Sequence, residues 1–300
     1  MNASVQPPPL TSPVSSTAAA GVVAPPAKTG LAAVLTPQRM VSSLVTLILV
    51  IGQLGFNILP SLWVLPVTLG TAMLLEAGLS RVLRGVWPSV LSAYIAGNSV
   101  VILVKPQSGL WWPFVLGAAI AITSKYVLTY RSRHLWNPTN FAITAMVLIA
   151  PHSISILSHE WGNEVWPVAV IWGVGLVVVR RAKLLHITLT YLVSFVVLAV
   201  LRAALMGRDW MTEVTPVTGT MYQFLMFFML TDPRTTVSST KGRVLVTILI
   251  ALAECGLRLA NDFGYAWAQP VATIPAMASL FVIGPIAMLI DLRNKPVRTS

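Results

Sequence analysis

Apolar stretches of about 20 residues recur from Met40 almost to the last residues of the chain, long enough to cross the hydrocarbon of a bilayer as helices. Within hydrocarbon every backbone N–H and C=O needs an internal partner, which leaves helices or a closed barrel. Barrel strands would alternate apolar and polar residues over segments of about 10, and runs such as Leu44 to Ile51 do not alternate. The expected class is therefore an all-α polytopic membrane protein. Composition agrees: 10% of residues are charged, whereas about a quarter are in soluble domains, so a water-facing coat could not be assembled.

Ten segments can be drawn, over 40–58, 62–80, 88–104, 110–130, 138–156, 164–179, 184–206, 217–231, 243–260 and 267–291. Assigning the connecting loops alternately to two sides sorts the basic residues. One side receives Lys28, Arg39, Arg81, Arg84, Arg131, Arg133, Arg180, Arg181, Lys183, Arg234, Lys241, Arg243, Arg293, Lys295 and Arg298. The other receives little beyond Lys105 and Arg208. By the positive-inside rule the basic side is cytoplasmic and both termini lie there, in a bacterial inner (plasma) membrane. Trp63, Trp111, Trp112, Trp161 and Trp166 fall near segment ends on the opposite side, as an interfacial belt requires. The net charge of +11 is accounted for in this way, which argues against nucleic acid as a partner and leaves lipid as one. Residues 1–38, rich in Pro, Ala and Ser, read as a disordered cytoplasmic tail, and 293–300 as a second short tail. Cys255 is alone, so neither an intrachain disulfide nor a cysteine-only metal cluster can form within the chain.

The halves repeat. Segment three is short, carries Gly97-Asn98 and ends in Lys105-Pro106; segment eight is short and ends in Asp232-Pro233; each precedes a long helix. Segment five opens on Asn137-Pro138 and segment ten on Gln269-Pro270. Five segments per half is an odd number, so the second copy is inverted. Two inverted five-helix repeats, approximately 39–157 and 164–292 within a transmembrane domain over 39–292, are the expected architecture.

Two polar, proline-centred motifs share the cytoplasmic side. His134-Leu135-Trp136-Asn137-Pro138-Thr139-Asn140 precedes segment five, and Thr231-Asp232-Pro233-Arg234-Thr235-Thr236 follows segment eight. A helix start with Pro at its first position offers free N–H groups and partial positive charge, and the Asn, Asp and Thr side chains add directional hydrogen bonds. Such a set suits the polar edge of a planar heterocycle or a cation. It equally suits plain helix capping and turn formation. The candidate binding residues are Asn137, Pro138, Thr139, Asn140, Asp232, Arg234, Thr235 and Thr236. An ion path would draw on Asp232 and on Glu254, although Glu254 and Arg258, four apart, also fit an intrahelical ion pair. Glu76 and Lys125 read as snorkelling near helix ends. His152 and His159 lack a fixed helical spacing, so no metal site is expected.

The stretch Phe224-Leu-Met-Phe-Phe-Met-Leu-Thr-Asp-Pro-Arg-Thr-Thr-Val-Ser-Ser-Thr-Lys-Gly-Arg243, with Asn137-Pro138 and the closing Ile290-Asp291, resembles the RnfD and NqrB family, from about Met40 to Asp291. These are membrane subunits of Rnf and sodium-pumping NADH:quinone oxidoreductase complexes. The resemblance implies ten helices in a five-plus-five inverted arrangement, FMN joined to a threonine between helices five and six, and in several members a non-covalent riboflavin. Here the corresponding region, Ser158 to Trp166, contains no threonine, so covalent FMN is not expected. A non-covalent riboflavin or FMN at the cytoplasmic motifs is. In length and in the missing threonine the chain looks more like a shorter UnbU-like branch of that family.

The function expected from this resemblance is an RnfD-like integral membrane subunit associated with electron transport. It would be coupled to ion translocation through other membrane or redox subunits, because the chain holds no iron–sulfur cysteine set and no nucleotide fingerprint; at most it is one subunit of a membrane oxidoreductase. The alternatives are a secondary transporter or permease built on the inverted repeat, and a non-catalytic membrane scaffold of the UnbU-like, biosynthesis-associated kind.

Overall fold

The structure, a computed structural model, describes residues 37–156 and 165–294. The expected tail over 1–36, the segment 157–164 with His159 and Trp161, and the terminal residues 295–300 lie outside the described residues. Within them the chain is mostly helical: α1 Pro37–Phe56, α2 Val64–Arg84, α3 Leu91–Leu103, α4 Trp112–Val127, α5 Pro138–Ile149, α6 Val165–Arg181, α7 Leu185–Met206, the single turn α8 Trp210–Val214, α9 Thr220–Phe224 continuing as a π-helix over Leu225–Met229, α10 Thr240–Asp262 and α11 Pro275–Arg293. Among the described residues four stretches are long and apolar enough to cross a membrane: Arg39–Phe56, Leu185–Met206, Thr240–Asp262 and Pro275–Arg293. Side chains such as Leu54, Val193, Leu201, Leu249 and Ile286 are exposed along these helices, as a lipid-facing surface requires.

Several helices are short for a reason visible in their ends. Helix α3 has 13 residues and α5 has 12, about 20 and 18 Å at 1.5 Å per residue, well under the hydrocarbon thickness of about 30 Å. Helix α3 runs straight on into the extended β1 Val104–Pro106, and α5 is followed, after a turn over residues 150–153, by β4 Ile154–Ile156. The two strands pair antiparallel, Val104 with Ile156 and Pro106 with Ile154, so the backbone groups of the two extended segments satisfy one another. A second ribbon, β2 Thr129–Tyr130 with β3 Arg133–His134, joins α4 to α5 through Arg131 and Ser132, both at positive φ. That is the conformation of a tight two-residue hairpin, and Arg131 secures it by donating from Nη1 to the Leu292 carbonyl at 2.6 Å. Neither ribbon follows from a helix-only reading, because segments of two or three residues carry no periodicity.

The π-helix is likewise braced. Leu230 N reaches back to Leu225 O at 2.9 Å, and the displaced carbonyls find hydroxyls: Thr188 Oγ1 donates to Met226 O at 3.0 Å and Thr231 Oγ1 to Phe227 O at 2.5 Å. The tenth apolar segment, drawn from residue 267, becomes a helix only at Pro275; Ala266–Val271 forms a 3-10 turn around Pro270. Proline at position 270 lacks the N–H that a continuous helix would use there.

Candidate functional site

The two proline motifs meet at one end of the helix bundle, the end rich in basic residues. Asn137 is the N-cap of α5: its Oδ1 accepts from the Thr139 and Asn140 amides, both at 3.1 Å, with Pro138 at the first helical position. Asp232 closes a turn of its own, Oδ1 accepting from Arg234 N at 3.0 Å and Oδ2 from Thr235 Oγ1 at 3.1 Å. Asn137 Nδ2 then donates to Asp232 Oδ2 at 3.3 Å. Arg133 clamps the second motif from the hairpin, its guanidinium donating to the carbonyls of Pro233 at 2.8 Å and Arg234 at 3.0 Å. Trp136 donates from Nε1 to Phe281 O at 2.8 Å, and its ring clusters with Phe141 and Phe281, fixing α5 against α11. Capping and turn formation therefore occupy most of the polar atoms in both motifs.

What they frame is a cavity of about 550 Å³. Asn137, Pro138, Thr139, Asp232 and Arg234 line it, together with Phe224, Phe227 and Phe228 from α9 and its π continuation. Volumes of about 300–1,000 Å³ with apolar walls and a few polar groups are those of small-molecule sites. The other three candidate residues do not reach this space. Asn140, Thr235 and Thr236 line a separate pocket of about 30 Å³ on the far side of Asn137. Asn140 there donates from Nδ2 to Met277 O at 3.0 Å, and Thr236 Oγ1 donates to Asp232 O at 2.7 Å, so these residues tie the motifs to the frame. Glu254 and Asp232 are not brought together: Glu254 lines a third small cavity between α7 and α10.

Two further wall residues come from the same helix-to-hairpin segment. Lys125 is 4% exposed and pairs with Glu76, itself 6% exposed, while Tyr126 OH donates to Glu76 Oε1 at 3.1 Å. The pair is buried between α2 and α4, which corrects the snorkelling expected for both: neither side chain reaches the exterior, because each neutralises the other inside. Lys125 lines the large cavity. So does His134, whose Nδ1 is buried without a hydrogen-bond partner among the described residues. Burial holds the His134 imidazole below its ordinary range; the Asp232 carboxylate pulls the other way, and Arg234, Lys125 and Arg84 add to the lowering. No periodicity marks Lys125 or His134 as wall residues; only the return of the chain through the β2–β3 ribbon places them there.

The residues fit a planar heterocycle: aromatic rings for its faces, and Asn137, Thr139, His134 and Asp232 for its polar edge. Among the described residues no group of three His, Cys, Asp or Glu is placed to hold a metal ion. No family model matches the chain, and no curated protein is significantly similar to it.

Proposed function

We propose that the chain is an integral membrane subunit that holds riboflavin or FMN, without covalent attachment, in the cavity between the Asn137-Pro138 and Asp232-Pro233 motifs. The observation that supports this most is the cavity itself: about 550 Å³, walled by Phe224, Phe227 and Phe228, with Asn137, Thr139, His134 and Asp232 among its few polar residues. The resemblance of the Thr231–Arg243 stretch to RnfD-type subunits points to the same ligand class. A bound flavin would supply one- and two-electron redox chemistry, and electrons would come from and go to partner subunits.

In the same reading the chain crosses a bacterial inner membrane ten times as two inverted repeats, with the basic end cytoplasmic. The short α3 and α5 would then be discontinuous spans, and their continuation by paired strands is what a bilayer demands of interrupted helices.

The test is purification of the full-length protein in mild detergent, followed by an absorbance spectrum and mass spectrometry of whatever denaturation releases. Flavin absorbance near one equivalent, with a released flavin mass and no mass adduct on the polypeptide, is the expected result. A colourless protein releasing no flavin overturns the reading. A permease is the second reading, favoured by the same interrupted helices; solute uptake by proteoliposomes of colourless protein would establish it.

A further inference from the structure

The walls of the large cavity divide by chemistry along the chain. Phe224 and Phe227 belong to α9 and its π continuation and are buried, and Val178 and Val179 come from the last turn of α6. The charged wall residues come from the end where the basic loops gather: Lys125 near the end of α4, Asp232 and Arg234 in the turn after the π-helix. A ligand filling this space has an apolar body and turns a polar group toward the loops.

The sign of the charge at the loop end follows from the pairing there. Glu76 is taken by Lys125, with Tyr126 OH donating to it at 3.1 Å. Asp232 spends both carboxylate oxygens within the rim, Oδ1 on the Arg234 amide and Oδ2 on Thr235 Oγ1 and Asn137 Nδ2. The cations are less consumed. Arg133 donates to the backbone carbonyls of Pro233, Arg234 and Thr236, which carry no formal charge, and Arg84 lies over the Tyr126 ring at 4.5 Å. Arg234 is anchored through its backbone; its exposed side chain has no hydrogen bond or ion pair among the described residues. Its guanidinium nevertheless stays by the cavity, because together with Lys125 and Arg84 it acts as a like charge on the His134 imidazole. With Glu76 set against Lys125 and Asp232 against Arg234, the charges of Arg84 and Arg133 remain uncompensated.

An excess of positive charge at a cavity that reaches the exterior draws an anion. A guanidinium with no partner offers a planar fork of donors that matches two phosphate oxygens at once. A phosphate monoester brings a charge of about −1.5 to −2 at pH 7 and three acceptor oxygens.

We propose that the loop end of the large cavity is an anion subsite in which Arg234 binds a phosphate monoester on the ligand, with Arg84 and Arg133 supplying the surrounding positive field. This rests on the flavin reading, and within it the site takes FMN in preference to riboflavin, two molecules that differ by that phosphate alone. The ring system lies among the phenylalanines and the phosphate points to Arg234. Binding makes and breaks no covalent bond.

Titration of the full-length protein in mild detergent, freed of flavin by dialysis, with riboflavin and with FMN tests this, the flavin fluorescence being followed at low and at high salt. Wild type should bind FMN at least about tenfold more tightly than riboflavin, the worth of one charge-assisted contact, and the gap should narrow as salt screens the charges. Arg234→Gln should bring FMN down to the affinity of riboflavin while leaving riboflavin binding as in wild type, which also shows that the variant is folded. Arg234→Lys, which keeps the charge and loses the fork, should retain part of the preference. Riboflavin binding as tightly as FMN in wild type, an undiminished preference in Arg234→Gln, or loss of both flavins in that variant overturns the subsite and leaves the flavin reading standing. Binding of neither flavin by wild type overturns both.

Discussion

Asn137 Nδ2 donates to Asp232 Oδ2 at 3.3 Å, joining side chains 95 residues apart into one rim of the large cavity. The same Asn137 side chain caps α5 through Oδ1, so its two functions can be separated by substitution. Asn137→Ala loses both and should cost about 1 kcal/mol in helix capping alone. Asn137→Asp keeps a capping oxygen of comparable quality but sets one carboxylate against another. Thermal unfolding in detergent should therefore rank wild type above both variants, while flavin stoichiometry should fall in both. Full flavin content in Asn137→Asp would show that the rim is not a ligand contact.

Lys125 and Glu76 are each buried and each other's ionic partner. Removing one leaves a lone charge in a low-dielectric setting, a change that costs about 3–5 kcal/mol, whereas replacing both with apolar residues of similar size is often neutral. Lys125→Met should unfold the protein at markedly lower temperature, and Lys125→Met with Glu76→Leu should recover most of the loss. Flavin binding should stay weakened in the double variant, because Lys125 is also a cavity wall. Equal stability of single and double variants would mean that the pair is solvated.

Much of this architecture is legible in the sequence, and the missing parts share a cause. Hydrophobic length identifies α1, α7, α10 and α11 because a membrane-crossing helix is a long local pattern. The Asn137 cap is legible too, since Asn-Pro before an apolar run is a local signal. The split of the motif residues between two pockets is not. Asn137 and Asn140 lie three apart, nearly one turn, and which space each faces depends on α11 and on the turn after α9. Likewise Glu76 and Lys125 each look like isolated charges near a helix end; their pairing spans 49 residues and arises from α2 packing on α4. Glu254 with Arg258 is a readable i to i+4 pair, whereas Tyr191 and Tyr222 enter only through tertiary packing.

His134 supplies a pH dependence with a definite sign. Its imidazole is kept neutral by burial, so below the ordinary value of 6.5 the unfolded chain takes up a proton that the folded chain declines. Stability is therefore unaffected by His134 well above that pH and falls as pH drops through it. Melting temperature measured across this range should decline more steeply for wild type than for His134→Gln. Parallel profiles would place a solvated imidazole at this position.

Gly175 on α6 controls how closely that helix approaches the π-helix. A Cβ there would lie 2.7 Å from Cγ and 2.8 Å from Cδ2 of Phe227, closer than side chains tolerate, and Phe227 is 1% exposed with its ring edge-on to Trp172 at 5.4 Å. Phe227 is also a wall of the large cavity, so in Gly175→Ala its ring must shift toward that cavity or α6 must move away. Overpacking of this kind costs about 1–3 kcal/mol. Gly173, two residues earlier on the same helix, has nothing within 4 Å of an added Cβ, so Gly173→Ala should instead gain about 0.5–1 kcal/mol from helix propensity. Adding Phe227→Leu to Gly175→Ala should restore part of the lost stability, since the two residues compete for one space. Flavin content should fall in Gly175→Ala and hold in Gly173→Ala. If the two alanine variants melt together, the contact between Gly175 and Phe227 does not set the position of α6.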